Sequence, residues 1–399
     1  MYRRTTTTTT MPSDSRAFQE AARDDRSDKA FDCQAYFDIK HRQYRRRREE
    51  AYHPNQKAMA DDIVEVIRGS KGVRFQTAVA MFQSGKTGAM FSLLEACLSI
   101  PDVVHPEHTY ILGNLSSTEW LQQTKSRMPD YMASRVFHRN DTKRKLLKQL
   151  EDQSDVLVIV DEAHMANKVD MSIDCLMREL GLKDINTMHD KNIHMVFFTA
   201  TPNHLLVDMD RWNATAVTHI MQPGYNYVGL RQLIERGQAR EYSDLYDASE
   251  GQEAIAALKK TIEERFDGDN PKYHIIRTRN KKGVEREPLL NRFKNIFGEE
   301  GYRYVGCDSK SEENAVSRLI QTPPQMHTIV FVKEFLRCAV TLSPKQNIGV
   351  LYERKSSVTF DDVICQSFAG RITGYDVCDH NLVYTSMESL ENYVGAWDA

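Results

Sequence analysis

The sequence predicts an α/β fold in which mainly parallel sheets are covered by helices on both faces. The first observation is that strand-sized segments such as 156–160 are apolar at every position, which is typical of strands buried on both faces. The second is that amphipathic segments of helical length, such as 87–100, alternate with these strands from about residue 51 onward. Further strands are predicted at 74–81, 109–112, 194–198, 274–277, 302–305, 328–332, 348–352 and 382–384.

The chain has 399 residues, which is enough for two domains that each bury a core. Gln222, Pro223 and Gly224 interrupt the strand–helix alternation, so the sequence predicts a first lobe at 51–222 and a second at 223–399. The beginning of the second lobe, 225–270, is expected to be helical and polar.

Residues 1–50 differ from the rest of the chain. They begin with a run of six threonines and continue as a polar stretch, so an N-terminal tail that is partly disordered is expected. A targeting role, the docking of protein partners, or no separate role are the alternatives for this tail.

Bulk composition excludes several classes of protein. With 53 basic and 56 acidic residues, the net charge is −3, which excludes a broad basic surface but permits a local basic track for nucleic acid. No apolar run approaches the ~20 residues that span a bilayer, so no membrane partner is expected. The seven cysteines lack the spacing of a zinc site and fit a reduced, intracellular compartment.

A glycine-containing turn between a predicted strand and a predicted helix indicates a phosphate-binding loop. Backbone N–H groups at such a turn and the helix dipole favour an anion, the lysine would bridge the β- and γ-phosphates of ATP, and the threonine hydroxyl would bind Mg²⁺. Ala80 stands where the general pattern has its first glycine, and the tripeptide alone also arises by chance. The predicted nucleotide-binding residues are Ser84, Gly85, Lys86, Thr87 and Gly88.

Two carboxylates follow the apolar strand 156–160. A parallel strand delivers the residues after it to the carboxyl edge of the sheet, beside the phosphate-binding loop. Asp161 is therefore predicted to hold Mg²⁺ through water, and Glu162 to polarise the attacking water. His164 is expected to link the nucleotide site to the rest of the protein. An acidic cap on a helix N-terminus is the plainer alternative.

The order of these motifs resembles superfamily-two DEAD/DEAH-box helicases and translocases over roughly 51–399. The matching segments are the loop ending in Gly-Lys-Thr, the Asp-Glu-Ala-His box at 161–164 and Phe-Thr-Ala-Thr-Pro at 198–202. The resemblance implies two RecA-like lobes with ATP and Mg²⁺ between them. It also implies that Thr199 and Thr201 couple hydrolysis to lobe movement.

Three further first-lobe positions match the family one at a time. Gln56 resembles the adenine-reading glutamine, whose amide offers one donor and one acceptor. Gly113 and Arg139 lie in segments that resemble loops contacting the phosphates of a nucleic-acid strand. An ordinary surface residue remains the alternative for Gln56, and plain loops for the other two.

In the second lobe, 366–374 resembles the motif whose arginine reaches the γ-phosphate, and Arg371 is the predicted arginine finger. The spacing departs from the family, because one extra residue separates Gln366 from Gly370 and Gly374 stands where a second arginine is common. Arg337 is therefore the alternative finger, or else a strand contact.

The resemblance implies an ATP-dependent helicase or translocase that moves along or unwinds DNA in preference to RNA, similar to the helicases of phages and large DNA viruses. A viral origin would place it in the host cytoplasm or nucleus, or in the virion. The alternatives are a duplex-DNA translocase of a repair, restriction or packaging system, and a non-catalytic nucleotide-binding scaffold.

Overall fold

The computed structural model describes most of the chain after residue 51. The described ranges are 52–70, 72–113, 118–128, 132–141, 145–162, 172–201, 216–266, 270–279, 287–307, 315–333, 342–355 and 361–398. Within these ranges, no helix combines the length and the apolarity needed to cross a membrane. The predicted tail at 1–50 lies outside the described residues.

The first lobe contains a six-stranded sheet in which every pairing is parallel, in the order β3-β2-β4-β5-β1-β6. Its strands are β1 (Phe75–Ala80), β2 (Thr109–Gly113), β3 (Val136–His138), β4 (Val156–Asp161), β5 (Ile193–Thr199) and β6 (Ala216–Met221). Its helices are α1 (Pro54–Gly69), α2 (Lys86–Cys97), α3 (Thr118–Arg127), α4 (Leu147–Leu150), α5 (Ser172–Glu179) and α6 (Ile185–Asp190).

The second lobe contains another six-stranded sheet with parallel pairing throughout, in the order β7-β12-β11-β8-β10-β9. Its strands are β7 (Ala239–Glu241), β8 (Tyr273–Arg277), β9 (Tyr302–Cys307), β10 (His327–Val332), β11 (Ile348–Tyr352) and β12 (Leu382–Thr385). Its helices are α7 (Leu230–Glu235), α8 (Glu250–Arg265), α9 (Glu287–Phe297), α10 (Ala315–Leu319), α11 (Asp361–Ile364), α12 (Gly370–Ile372) and α13 (Met387–Asp398).

Each sheet separates two apolar cores, because side chains alternate between its faces. In β4, Leu157 and Ile159 pack into one core, and Val158 and Val160 pack into the other. All six residues of this strand are buried, which is why the segment carries no polar face in sequence. The predicted α/β class with two helix-covered parallel sheets is confirmed.

Three short or edge strands, β3, β6 and β7, depart from the sequence expectation. The segment 225–270 was expected to be helical, and it does contain α7 and α8, but it also contains the strand β7. That strand has three residues and pairs only at an edge of the sheet, so it has no periodic signal of its own. The edge strand β6 is mostly half-buried or exposed and therefore lacks the continuous apolar pattern of a central strand.

The chain passes from the first sheet to the second between Met221 and Ala239, the interval that contains the predicted boundary. The two lobes are in contact in this structure, because Phe82 and Ala200 of the first lobe pack in a core cluster formed otherwise by the second. The side of the first lobe that carries the predicted phosphate-binding loop thus faces the second lobe.

Candidate nucleotide-binding cleft

The turn between β1 and α2 has the backbone geometry of an anion cradle. Gln83 and Gly85 both adopt left-handed conformations, with φ of 53° and 104°. These two residues reverse the backbone immediately before α2, whose first residue is Lys86. The amides at the start of a helix have no partners within it and favour an anion, so this turn is suited to phosphate.

Gln56 lies directly on this loop. Its Nε2 donates a hydrogen bond to the Gly85 carbonyl at 3.1 Å, and its Oε1 accepts one from the His53 N–H at 3.0 Å. A Cβ atom added at Gly88 would lie 2.3 Å from Nε2, so any larger residue there would displace the Gln56 amide. Gln56 therefore supports the phosphate-binding loop, and adenine recognition by its amide stays a prediction.

The strand β4 brings the acidic pair to the same edge. Lys86 Nζ lies 3.6 Å from Glu162 Oε1, which places the lysine and the carboxylates in one site, as their motifs predicted. Glu162 has a φ of 52°, an uncommon conformation for a residue with a side chain. Such local strain is typical of functional turns, where the surrounding structure holds the backbone in place.

Asp161 is buried, and both of its oxygens accept hydrogen bonds. Oδ1 accepts from the Glu162 N–H at 3.0 Å, and Oδ2 accepts from the indole Nε1 of Trp120 at 2.9 Å. Burial, and secondly the Glu162 carboxylate, raise the pKa of Asp161 to about 6, against the opposing effects of Lys86 and Trp120.

The donor set fits a magnesium–nucleotide complex. Mg²⁺ binds carboxylate and hydroxyl oxygens and keeps much of its water, so it suits Asp161 and the Thr87 hydroxyl at the start of α2. The same cation would relieve the repulsion that raises the pKa of Asp161. The individual metal and nucleotide assignments remain predictions.

The predicted coupling residues lie where the first lobe contacts the second. The Thr199 hydroxyl accepts a hydrogen bond from the Thr201 N–H at 3.0 Å, which fixes the turn after β5. The Thr201 hydroxyl accepts a hydrogen bond from Nε2 of Gln366, a second-lobe residue, at 3.1 Å. This hydrogen bond connects the two lobes directly. His164 lies outside the described residues.

The second-lobe segment that carries the extra residue is kinked. Within Cys365–Ala369, Ser367 leaves the helical conformation, with φ of −73° and ψ of −131°, and the helix resumes after it. Gly370 then packs on the phosphate loop, where an added Cβ would lie 3.0 Å from Phe82 Cγ. The Thr373 hydroxyl donates to the Phe82 carbonyl at 3.1 Å.

Arg371 lies between these two contacts and is 2% exposed. Its segment therefore rests against the phosphate-binding loop, as the finger hypothesis requires, but the finger role itself stays a prediction. The alternative finger, Arg337, lies outside the described residues.

A buried charge network behind this motif was not predicted. Arg277 Nε lies 2.6 Å from Glu353 Oε1, and the Ser367 hydroxyl accepts from the Arg277 guanidinium at 2.9 Å and donates to Glu353 at 2.5 Å. The guanidinium also lies 4.4 Å from the centre of the Phe368 ring. The sequence does contain a signal for this network, because Arg277 ends one apolar strand and Glu353 directly follows another.

Two tyrosines that the sequence did not single out also contact the phosphate loop. Tyr227 donates its hydroxyl hydrogen to the Phe82 carbonyl at 2.5 Å. Tyr375 donates to the Ser84 carbonyl at 3.2 Å and accepts from the Gly224 N–H at 2.8 Å. The second lobe and the connection between the lobes thus bind the backbone of the phosphate loop directly.

Gly113 and Arg139, which are predicted to contact a nucleic-acid strand, lie apart in sequence but at the ends of neighbouring β-strands. Gly113 ends β2, and Arg139 follows β3, its partner in the sheet. Arg139 is exposed, as a phosphate contact requires. Gly113 is covered by the Trp120 ring, so packing gives this glycine a reason besides nucleic acid.

Comparisons with known proteins agree with this geometry at the level of the fold. The chain is similar to the DExH-box NTPase HrpB of E. coli (TM-score 0.50, 14% identity), covering 86% of this chain but only 43% of that one. It is also similar to a DEAD-box helicase solved with single-stranded RNA and UDP-BeF (TM-score 0.54, 14% identity, 87% and 73% covered). The chain thus shares the two-lobed α/β fold of these two proteins, as predicted.

In sequence, the chain is 26% identical over 338 residues to an uncharacterized protein of Acanthamoeba polyphaga mimivirus, covering 80% of each protein. No family model matches the chain.

Proposed function

We propose that the chain is a nucleic-acid-stimulated ATPase of the helicase or translocase type, with its active site between the two lobes. The observation that carries this proposal is the convergence of three motifs on one loop. Lys86 lies beside the acidic pair, and the segment containing Arg371 packs against the same phosphate loop from the opposite lobe. A simple nucleotide-binding scaffold has no need of both a water-polarising carboxylate and an opposing arginine.

In the proposed mechanism, the start of α2 and Lys86 bind the β- and γ-phosphates of ATP. Asp161 and Thr87 hold Mg²⁺, which supplies charge neutralisation and orientation when it is bound. Glu162 orients and polarises the attacking water, and Arg371 stabilises the negative charge that develops on the transferred phosphoryl group.

Movement would follow from the contacts between the lobes. The Gln366–Thr201 hydrogen bond joins the second-lobe motif to the turn that follows β5. Loss of the γ-phosphate would weaken the attraction of Arg371 to the site and reopen the cleft. Each cycle would shift one lobe relative to the other along a strand bound by both.

The proposed partner is nucleic acid, with DNA preferred to RNA on the sequence resemblance alone. Exposed Arg139 would contact phosphates and not bases, so binding should show little sequence preference and should weaken with salt. The DEAD-box structural neighbour was solved with single-stranded RNA, which makes RNA a necessary arm of the test.

Phosphate release measured with single-stranded DNA, duplex DNA and RNA tests the proposal directly. The wild-type chain is expected to hydrolyse ATP faster with at least one of these, and Lys86→Ala is expected to lose roughly 10²-fold to 10³-fold or more in turnover. Lys260→Ala, at an exposed lysine of α8, is the matched control and should be unchanged. Turnover that survives Lys86→Ala would contradict the loop assignment.

Glu162→Gln separates ATP binding from hydrolysis in the same assay. This variant keeps the size of the side chain but cannot polarise water as a carboxylate does, so it should bind ATP and fail to turn it over. An equal loss of nucleotide affinity would argue against the assigned role of Glu162.

A further inference from the structure

We propose that Trp120 is a positioning residue for the metal-binding carboxylate Asp161, and that Gly113 is glycine so that the indole can reach that carboxylate. The inference rests on the proposed function and deepens it, because it concerns how this chain orients its own metal ligand. Trp120 is not among the residues that the sequence motifs predicted.

Trp120 contacts Asp161 through a hydrogen bond from the indole N–H, the one donor group of that side chain, to the carboxylate. Trp120 Nε1 lies 2.9 Å from Asp161 Oδ2, and the indole is 4% exposed. An indole can donate one hydrogen bond and accept none, and bonds to carboxylates are stronger than neutral ones. With Oδ1 bonded to the Glu162 N–H, the carboxylate is fixed at both oxygens.

The position of Gly113 explains how the indole reaches this site. Gly113 is paired with Asp161 in the register of β2 and β4, so the two residues lie side by side at the sheet edge. Trp120 belongs to α3, which follows β2, and its ring crosses Gly113. A Cβ atom at Gly113 would lie 2.2 Å from ring atom Cζ3, which is too close for any side chain.

The indole therefore bridges the ends of two neighbouring strands and has little freedom to adopt another rotamer. Groups that hold a metal ligand in its orientation typically change metal affinity or activity by ~10-fold to 100-fold when they are removed. If Trp120 acts in this way, its loss should affect the metal dependence of the site more than the binding of free nucleotide.

The first experiment compares Trp120→Phe with the wild type at varied Mg²⁺. Phenylalanine keeps an aromatic ring but removes the donor. We expect the Mg²⁺ concentration for half-maximal ATPase to rise ~10-fold, with a smaller change in nucleotide affinity measured without metal. Trp397→Phe, the same substitution in α13, is the matched control. An unchanged Mg²⁺ dependence in Trp120→Phe would overturn the proposal.

Gly113→Ala tests the second half of the inference. The added methyl group should displace the indole and reproduce the Mg²⁺ shift of Trp120→Phe. Because both changes break one hydrogen bond, the double variant should shift no further than either single one. Additive shifts would show that Gly113 acts independently of Trp120.

A fluorescence experiment keeps Trp120 and does not depend on turnover. The chain has three tryptophans, so Trp212→Phe/Trp397→Phe leaves Trp120 as the sole tryptophan, which is excited at a wavelength where tyrosine does not absorb. Adding Mg²⁺ with ADP should change its emission, whereas ADP in EDTA should not. A silent indole would overturn the proposal. Metal-sensitive emission in a chain that hydrolyses no ATP would support the proposal while contradicting the enzymatic function.

Discussion

The carboxyl edges of the two sheets carry charged residues at comparable places but use them differently. In the first lobe, Asp161 and Glu162 follow one another at the end of β4, and Lys86 lies 3.6 Å from Glu162. In the second lobe, Arg277 ends β8 and Glu353 follows β11, and their side chains form an ion pair of 2.6 Å.

The difference lies in how completely the charges are compensated within the protein. In the first lobe, burial, and secondly repulsion by the neighbouring Glu162 carboxylate, raise the pKa of Asp161 to about 6. In the second lobe, Ser367 bonds to both members of the ion pair. The first edge is thus suited to receive a cation and an anionic ligand, and the second to hold the motif that contains Ser367 and Arg371.

The largest effect on ATP hydrolysis is expected from replacing Arg371, the second-lobe residue proposed to act at the nucleotide site of the first lobe. Arg371→Ala should lower the single-turnover rate of ATP hydrolysis by ~10³-fold to 10⁵-fold, because arginine neutralises charge in the transition state. ATP affinity, measured separately by nucleotide binding, should change much less.

Two other variants show whether that loss is specific to Arg371. Arg303→Ala, at an exposed position of the edge strand β9, should keep the wild-type rate. A large loss in Arg337→Ala together with near-normal hydrolysis in Arg371→Ala would reverse the choice of finger.

A smaller effect is expected from opening the second-lobe ion pair. Glu353→Gln leaves the Arg277 guanidinium buried without its counter-charge, which typically costs ~3–5 kcal/mol of stability. Urea unfolding measures this cost. Glu263→Gln, at a half-exposed glutamate of α8, is the control and should lie within ~1 kcal/mol of the wild type. Stability equal to the wild type in Glu353→Gln would show that the network does not hold the motif.

The smallest effect concerns one buried histidine in each lobe. Burial, and secondly Arg74, lower the pKa of His194 to about 3, and burial with His327 lowers the pKa of His274 well below its usual value. Both are neutral when folded, whereas the unfolded chain binds protons below pH ~6.5. Their contribution to the free energy of unfolding is therefore complete above pH ~6.5. It is lost as the pH falls, by ~1.4 kcal/mol per pH unit for each histidine.

Unfolding midpoints at pH 7.5 and 5.5 test this expectation lobe by lobe. His194→Asn and His274→Asn should each flatten the decline in stability by a similar amount, since either variant removes one proton-binding group. A decline that neither variant changes would place the acid sensitivity elsewhere in the molecule.

How much was predictable differs between the fold and the site. Fully buried strands such as β4 have no polar face, so their apolar runs identified the sheets correctly. The meeting of Lys86 with the acidic pair was also predicted, because parallel strands deliver the residues after them to one edge. The three-residue strand β7 was missed because so short a segment shows no periodicity.

Contacts between distant segments that no motif marks were beyond sequence reasoning. Trp120 lies 41 residues from Asp161 and looks like an ordinary core residue of an amphipathic helix. The extra residue before Gly370 was visible in the sequence, but the kink at Ser367 and the packing of Gly370 against Phe82 were not. The tyrosine contacts to the phosphate loop likewise join segments about 145 or more residues apart.

The sequence by itself determined the α/β class, the alternation of strands and helices, and the residues proposed to bind phosphate and metal, because periodicity and local motifs are properties of short segments. Only the tertiary structure decided which oxygen of Asp161 is held by an indole, which residues brace the phosphate loop and how the second-lobe charges are paired. Those choices depend on distances between segments that the chain brings together only after both sheets have formed.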